Sequence, residues 1–580
     1  MTTALLAVIG AVLGVMGGLV LYGPDRLSVR IAQSSFASSD TGGVALSSPV
    51  RLGDRPGLTL LSAIVSTTTV GQPGRPALLL ARPVFNLDPG HRNAGARPDP
   101  APPAADLGAA LAPALGTFVA HGFKTLAIRN GEIRIATAAT GDGEPIVLTD
   151  LTAEIDGTTA GQFSARGGFT MRGQRFEFNG RLDAPKDARR PDERPLRFTL
   201  KSPVLDAAFD GRLDTTAAMR IAGLADGSML RATRTLRWLG IDSADSDLLA
   251  GIAFKGQLDW AGPALTLKNA RLTVDGNEAT GGLTLGWSGT RPSFDGTLAF
   301  GSLAIERYLG VAGEDDPVAA LGAAPWRAHD SKLPFISIAD ADLRVSAADV
   351  RLAGVSLGRA AATLTARDGV LTVDVAELQS ASGIAQFNLR VDQTGPAPRY
   401  GLRAKCEQDG GSILLDRLFG RAILGGRVLT TMDLTGAGAT LADILADLSG
   451  PIAMSMRPGG QLHADLAALA RMGVAPDPGW ARVAATGTPI EALELRGRLA
   501  TGSMLLDRLD ILSRRLRLGG RGRLALAART LDLEFEAADA RSEVTAAADD
   551  SQRAPPKTRI SLSGPWHQPR IRSEPTNPSP

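Results

Sequence analysis

The sequence is poor in the residue types on which many catalytic and structural sites depend. Its 580 residues include one cysteine, Cys406, so the chain has neither an intramolecular disulfide nor a multi-cysteine metal site. The five histidines lie at least 30 residues apart, which excludes a local His-x-x-x-His pair for zinc. We therefore expect no metal ion and no cofactor.

An excess of charge of one sign is also lacking. Lys and Arg number 62 and Asp and Glu number 60, so the net charge is +2 and nothing in it indicates a nucleic-acid partner. Hydrophobic residues make up 44% of the chain, too many for a wholly disordered protein. The length suits one long repetitive body or about 3–4 compact domains.

Catalytic motifs are sparse. Residues Gly354–Gly358 match the nucleophile-elbow pattern, but Ser356 lies in a stretch that alternates like a strand with no helix after it. The sequence contains no Walker A motif, paired dinucleotide glycines or EF-hand loop. Cys406 follows a strand-like segment and is interpreted as an inert thiol. We therefore predict that the protein is not an enzyme.

Long apolar runs are lacking except at the start of the chain. Residues 1–24 carry no charge, and the 18-residue run Ala4–Leu21 would form a helix of about 27 Å, close to the ~30 Å hydrocarbon core of a bilayer. This predicts an uncleaved transmembrane anchor. The alternative is a cleaved signal peptide, for which Ala32–Ser34 weakly resembles a cleavage site.

Small residues recur on one face of this predicted helix. Gly10, Gly14 and Gly18 are spaced four residues apart, a pattern that lets two membrane helices approach closely. We therefore consider a membrane-helix protein as a partner. Arg26 and Arg30 are the flanking charges, and they do not fix the orientation of the anchor.

Alternation of apolar and polar residues dominates the rest of the chain. Leu196, Phe198 and Leu200 alternate with polar residues, as on a strand with one buried face. Such strands, separated by Asp-Gly, Asn-Gly or Gly-Gly turns, are typical of antiparallel meanders. Helical spacing is confined to four short segments: Ser228–Leu239, Ser412–Phe419, Leu441–Leu448 and Leu462–Ala470.

The predicted fold class is therefore mainly β, with an N-terminal transmembrane helix followed by a long twisted, largely antiparallel β-sheet that forms a hydrophobic groove. About 25 strands at ~4.8 Å spacing would present an apolar face too long for a few short helices to cover. Acyl chains would cover it, so we predict phospholipid as the ligand. The predicted groove-lining residues are Leu196, Phe198, Leu200, Leu493, Leu495, Leu531, Leu533 and Phe535.

Residues 400–540 resemble the C-terminal region of the AsmA family. The order in which the segments follow one another carries the resemblance, because each segment alone is a weak match. A helix and a glycine-led strand are followed by a strand, a short helix, a late meander and a closing strand. The segments that carry the resemblance are Gly411–Gly420, Leu424–Leu429, Thr435–Gly450, Thr488–Leu499, Leu516–Gly522 and Ile560–Pro569.

The resemblance implies a single-pass protein of the cell inner membrane with a large periplasmic body and a role in outer-membrane biogenesis. Better-known members of the family are proposed to carry phospholipid along a hydrophobic β-groove. The family has no catalytic motif, so no residue roles carry over. The alternative is a periplasmic scaffold that modulates outer-membrane protein assembly through its sheet edges.

Two segments without periodicity, 89–113 and 541–557, are predicted to be linkers. The predicted organisation is an anchor at 1–24, a β segment at 25–88, a linker at 89–113, β-groove at 114–227, a short helix plus β-groove at 228–400, an AsmA-like region at 401–540, a linker at 541–557, a closing strand at 558–571 and a disordered tail at 572–580.

Overall fold

The computed structural model describes most of the chain after residue 57. The described ranges are 58–70, 75–87, 125–135, 146–157, 162–214, 220–229, 251–286, 291–305, 339–352, 355–409, 424–463, 487–525, 530–539, 557–565 and 569–576, with short pieces at 36–38, 44–46 and 49–51 and a few single residues. The predicted anchor at 1–24 with Gly10, Gly14 and Gly18, the linker at 89–113 and residues 541–556 of the second linker lie outside them.

The described chain is mainly β, and it divides into two compact units, residues 1–298 with 338–340 and residues 299–337 with 341–580. The strands that lie wholly or mainly in the first unit are β1 (Phe36–Ser38), β2 (Val44–Leu46), β3 (Val50–Arg51), β4 (Leu58–Val70), β5 (Arg75–Leu87), β6 (Thr125–Ile135), β7 (Ile146–Gly157), β8 (Phe163–Met171), β9 (Gln174–Leu182), β10 (Glu193–Lys201), β11 (Asp206–Asp214), β12 (Arg220–Met229), β13 (Ile252–Ala261), β14 (Ala264–Val274), β15 (Asn277–Gly286) and β16 (Ser293–Phe300).

The second unit holds the remaining strands and one described helix, α1 (Leu441–Asp447). Its strands are β17 (Leu303–Ala304), β18 (Asp340–Leu352), β19 (Val355–Arg367), β20 (Val370–Ser380), β21 (Gly383–Asp392), β22 (Arg399–Asp409), β23 (Leu424–Gly425), β24 (Arg427–Ala437), β25 (Gly450–Met456), β26 (Gly460–Leu462), β27 (Thr488–Ile490), β28 (Ala492–Ala500), β29 (Ser503–Leu512), β30 (Leu516–Ala525), β31 (Thr530–Asp539), β32 (Lys557–Pro565) and β33 (Arg570–Thr576).

The predicted meander is confirmed in its main features, because strands adjacent in the chain pair antiparallel along most of both units. Tight turns join them: Asp275-Gly276 and Asp368-Gly369 both have positive φ at their two central positions, the type I′ geometry that matches strand twist. The sheet is nevertheless mixed, since β5 pairs parallel with β6 and β17 pairs parallel with β18.

The parallel β5–β6 pair has a simple physical reason. Two parallel neighbours cannot be joined by a tight hairpin and need a connection of about a dozen residues or more. Residues 88–124 separate the two strands, and the predicted linker at 89–113 lies within that connection. The segment without apolar–polar alternation therefore lies where the antiparallel pairing of successive strands gives way to the parallel β5–β6 pair.

Helix α1 confirms one of the four predicted short helices. Thr440 is its N-cap, with its hydroxyl accepting from the Asp443 backbone N–H at 3.2 Å, while the Asp443 carboxylate accepts from the Thr440 backbone N–H at 3.1 Å. This reciprocal capping box satisfies backbone donors that the first turn leaves free. Of the segment at 228–239, Thr235 and Trp238 are described and helical, whereas Ser228 and Met229 belong to β12, so the predicted start of this helix is wrong. The predicted helix at 412–419 lies outside the described residues, and Leu462, the expected start of the fourth helix, belongs to β26.

The C-terminal prediction needs correction. The closing strand expected at 558–571 is two strands, β32 and β33, which pair antiparallel from Lys557↔Thr576 to Ser563↔Arg570. Residues 572–576, expected to be disordered, belong to β33 because Ile571 and Ser573 are buried on its inner side. Their alternation spans only a few residues beside three prolines, so the local sequence pattern does not predict a strand there.

Aromatic rings lie across glycines of neighbouring strands. Gly227 in β12 pairs with Phe254 in β13, and a Cβ atom at Gly227 would lie 2.6 Å from the Phe254 ring atom Cε1 and 2.7 Å from Cζ. Gly520 in β30 takes the ring of its partner Phe535 in the same way. A ring above a glycine fills the space that a side chain would have taken and packs on the bare backbone.

We predict that Gly227→Ala destabilises the first unit by about 1–3 kcal/mol, because the Phe254 ring must leave its position over the glycine. The measurement is the midpoint of urea unfolding followed by circular dichroism. The control is Gly282→Ala in β15, where the nearest described atom to a new Cβ is 3.4 Å away and the substitution should be neutral or slightly stabilising. If both variants unfold at the same midpoint, the ring-over-glycine contact has no energetic role.

Candidate functional site

The strand register aligns apolar residues across the first unit. From β5 to β15, a continuous series of cross-strand pairs contains one residue from each strand. Every residue in this series is apolar or glycine. We call this set the first-unit row: Leu80, Ile128, Ala153, Gly167, Phe178, Leu200, Ala207, Gly227, Phe254, Leu272 and Ala279. Because side chains alternate along a strand, all of these residues share one face.

An equivalent row crosses the second unit from β18 to β33. It also consists of apolar residues and glycines. We call it the second-unit row: Val345, Ala362, Val375, Phe387, Ala404, Met432, Ile452, Gly497, Leu506, Gly522, Leu533, Leu562 and Ile571. At the spacing of neighbouring strands, the row extends for about 58 Å across the sheet.

The predicted lining residues of the first unit lie on this apolar face, in its most buried part. Leu200 belongs to the first-unit row, and Leu196 and Phe198 point the same way from β10. Their exposed fractions are 1%, 7% and 7%. They pack within a core cluster that extends from β4 to β13, so they contact protein rather than solvent.

The predicted lining residues of the second unit also share one face. Leu533 belongs to the second-unit row, Leu531 and Phe535 flank it on β31, and Leu493 and Leu495 occupy the same side of β28. Leu493, Leu531 and Leu533 are buried, whereas Leu495 and Phe535 are half-buried. All five pack in the C-terminal core cluster of this unit.

Separate elements cover parts of the apolar face within each unit. In the first unit, the Trp238 ring lies 5.4 Å from the Phe176 ring, and its Nε1 donates to the Met171 carbonyl at 3.0 Å. Thr235, which is 1% exposed, donates to the Val204 carbonyl at 2.8 Å. Thr235 and Trp238 therefore cover strands β8 and β9 and the turn after β10.

In the second unit the cover comes from two places. A small sheet of β23, β26 and β27 packs on the C-terminal cluster through Leu424, Leu462 and Ile490, the last of them 1% exposed. Further along the face, Leu333 and Ile336 pack on a cluster that includes Leu371. The small sheet was not predicted from the sequence, because strands of two or three residues carry no readable alternation.

Between these covers, most row residues of the second unit are only half-buried, although Val375 is 6% exposed. From β18 to β25 the row residues Val345, Phe387, Met432 and Ile452 are half-buried. None of these was among the predicted lining residues. Their signal was present in the alternation, but the cover above a strand depends on distant segments and does not show in the local pattern.

The opposite face carries charged residues in cross-strand pairs. Glu154 in β7 bridges two neighbouring strands: Arg129 in β6 donates to its Oε1 at 2.9 Å, and Arg166 in β8 donates to its Oε2 at 2.8 Å. These two guanidinium groups hold the pKa of Glu154 below its usual value, with Arg166 contributing most. Surface depressions of about 480 and 720 Å³ in the first unit and 620 Å³ in the second unit are lined mainly from this face.

Two residues noted in the sequence have plain structural settings. Ser356 lies in β19, as its alternation predicted, and donates to the Asp349 carboxylate at 2.5 Å. Cys406 is half-buried in β22 between Ala385 and Thr430 of the adjacent strands, and burial raises the pKa of its thiol. Among the described residues, no group of three or more His, Cys, Asp or Glu residues is arranged to hold a metal ion.

No family model matches this chain, and no curated protein matches it significantly. In the part of the chain that the structure describes, no helix has the length and apolar character needed to cross a membrane. The apolar face and the covers on it are therefore the observations from which a function can be inferred.

We predict that Glu154→Gln lowers the stability of the first unit at pH 7 and that this difference disappears in acid. A carboxylate with a lowered pKa in the folded state adds stability above its unfolded value, near 4.5, and loses it as the pH falls through the folded value. The measurement is the thermal unfolding midpoint of both proteins between pH 2.5 and 7.

The matched control is Glu177→Gln in β9, a neighbouring carboxylate with no ion pair to a described residue. Its effect should be small and should not share the acid dependence. A constant difference between Glu154→Gln and the parent protein across the whole pH range would contradict the ion-pair explanation.

Proposed function

We propose that this protein is a non-catalytic, inner-membrane-anchored periplasmic protein of outer-membrane biogenesis that conducts phospholipid along its apolar sheet face, which we propose forms a groove. The proposal joins the predicted anchor at 1–24 and the resemblance of residues 400–540 to the AsmA family with the geometry of the apolar face. Its site is that face, and its partners are the inner membrane and phospholipid.

The observation that carries the proposal is the half-exposed part of the second-unit row. Apolar side chains such as Phe387, Met432 and Ile452 cost free energy when they face water, at about 25 cal/mol per Å². A row of them across consecutive strands is an extended apolar surface, which soluble proteins rarely leave without an interaction partner. An acyl chain would gain about 0.8 kcal/mol for each CH₂ group that it buries there.

The side-chain sizes along this row also suit an acyl chain. Ala362 and Ala404 lie among the larger Val375, Phe387 and Met432 across neighbouring strands. An acyl chain could lie over the small residues and contact the larger ones beside them. Charged residues such as Arg403 and Asp433, which pair at 2.9 Å, occupy the other face, so one side of the sheet is wetted and the other is not.

The proposal predicts that Met432→Glu and Ile452→Glu abolish lipid uptake while the protein stays folded. Each places a charge where an acyl chain would lie, yet each side chain is only half-buried, so the fold tolerates it. The measurement is phospholipid retained by the detergent-purified full chain in native mass spectrometry, together with transfer of a fluorescent phospholipid between vesicles. We expect at least a tenfold loss of transfer.

The matched control is Thr431→Glu, which adds the same charge one residue away on the exposed polar face of β24. It should bind and transfer lipid like the parent protein. The proposal fails if the parent protein carries no phospholipid and transfers none, or if the control loses as much activity as the two groove variants.

The second candidate function is a scaffold for outer-membrane protein assembly, and one observation favours it. The small sheet of β23, β26 and β27 packs on the apolar face, as in a closed protein core. Charged substitutions of Leu493, Leu531 and Leu533 should therefore unfold the second unit under either function. Two results together would support the scaffold function. The parent protein would transfer no lipid, and the folded Met432→Glu variant would still crosslink to the same protein partners as the parent.

A further inference from the structure

Sulfur-containing side chains are concentrated in the half-exposed part of the second-unit row. The chain has ten methionines and one cysteine. Met432 belongs to the row itself, on β24. Beside it on the same face lie Met454 in β25 and Cys406 in β22, which pair with Thr430 of β24 from its two sides. Three sulfur-containing side chains therefore adjoin Thr430.

Neither of these two methionines is enclosed by the protein. Met432 and Met454 are both half-buried, and the residue across from Met432 in β22 is the small Ala404. Met454 also contacts the C-terminal core cluster without being buried in it. Methionine is unbranched and has three rotatable bonds, so small neighbours leave it room to change its rotamer. A small reagent dissolved in water therefore reaches both side chains.

Other methionines have the opposite setting. Met456 follows Met454 by two residues on the same face of β25, yet it is 5% exposed, and its sulfur lies directly over Gly460 of the small sheet. Met171 is 1% exposed in the core of the first unit. The small sheet thus covers one methionine of β25 and leaves its neighbour accessible.

A methionine thioether is oxidised to a sulfoxide by two-electron oxidants such as a hypohalous acid. With hypochlorous acid the sulfur donates an electron pair to chlorine and hydroxide leaves, and water then replaces chloride on the sulfur. The net products are the sulfoxide, chloride and one proton, so the sulfur loses the two electrons that chlorine gains. The sulfoxide oxygen is a polar acceptor, which is costly to bury beneath an acyl chain that offers it no donor.

Cys406 is the less reactive of the three side chains. Burial raises the pKa of its thiol, so the reactive thiolate is scarcer than in an exposed cysteine. A thioether has no proton to lose before it reacts, so its oxidation is not limited in this way. The two methionines are therefore the oxidisable groups of this part of the face.

We propose that Met432 and Met454 are a modification site for a hypohalous acid, and that their sulfoxides prevent the apolar face from holding phospholipid. Methionine sulfoxide reductase would reverse the change, since it removes the oxygen as water while a dithiol becomes a disulfide. The inference rests on the proposed function, because it takes phospholipid as the occupant of this face. It adds a way in which that occupancy is switched off and restored.

The test treats the purified full chain with a small excess of hypochlorous acid and locates the sulfoxides by peptide mass spectrometry. Met432 and Met454 should be oxidised while the protein stays folded, and Met456 and Met171 should not. Bound phospholipid should slow the oxidation of the first two, because it covers the same side chains. Transfer of a fluorescent phospholipid between vesicles should fall about tenfold or more after oxidation and return after treatment with the reductase.

Three variants assign the effect to these positions, each compared with its own untreated sample. Met432→Leu/Met454→Leu should transfer lipid equally well before and after the oxidant, because leucine has no sulfur to oxidise. Met504→Leu is the matched control, since it makes the same change in β29 of the same unit, and it should remain sensitive. Cys406→Ala should also remain sensitive. Circular dichroism establishes that each treated protein is still folded.

The outcomes separate this inference from the proposed function. If the parent protein carries no phospholipid before any oxidant is added, the proposed function fails and this inference fails with it. If the untreated parent transfers lipid, the function stands, and the inference alone is overturned by any of three results. These are full transfer by the oxidised parent, an equal loss in the double methionine variant, or protection from the oxidant in Cys406→Ala.

Discussion

The fold depends on strand register. Because side chains alternate with a period of two, a slip of one residue between any two strands would turn the apolar side chains of one strand to the polar face. The register holds even through bulges, such as those between Ile128 and Gly131 and between Leu267 and Ala270, where extra residues are absorbed locally. The separation of an apolar face from a charged face follows from this one constraint.

The ion pairs on the charged face also help to fix the strand register. Pairs such as Glu154 with Arg166 and Arg220 with Asp259 join residues of neighbouring strands, so each pair is compatible with one register. Exposed ion pairs add little net stability individually. Their value here lies in discrimination, because a shifted strand would place like charges opposite one another and apolar residues in water.

The sequence predicted the strands, the turns and the shared face of Leu196, Phe198, Leu200, Leu531 and Leu533, because all of these follow from local alternation. Helix α1 was predictable because its apolar spacing and its cap lie within a dozen residues. The covers were only partly predictable. Trp238 lay in a recognisable helical pattern, but the small sheet around Ile490 brings together three short segments that are distant in the chain.

The near-sequential pairing of strands has a consequence for how the chain acquires its structure. In most of both units each strand finds its partner in the segment made just before it, so only a short loop must close at each step. The growing sheet would therefore have one newly formed edge strand with unpaired backbone N–H and C=O groups at each step, and the next strand would pair with it. The pairing of β5 with β6 interrupts this order, because the 37 residues 88–124 separate the two strands and form a much longer loop than a hairpin turn. The pairing of β6 with β5 should therefore be slower than the formation of the hairpins, and β5 would remain an unpaired edge strand until it occurs.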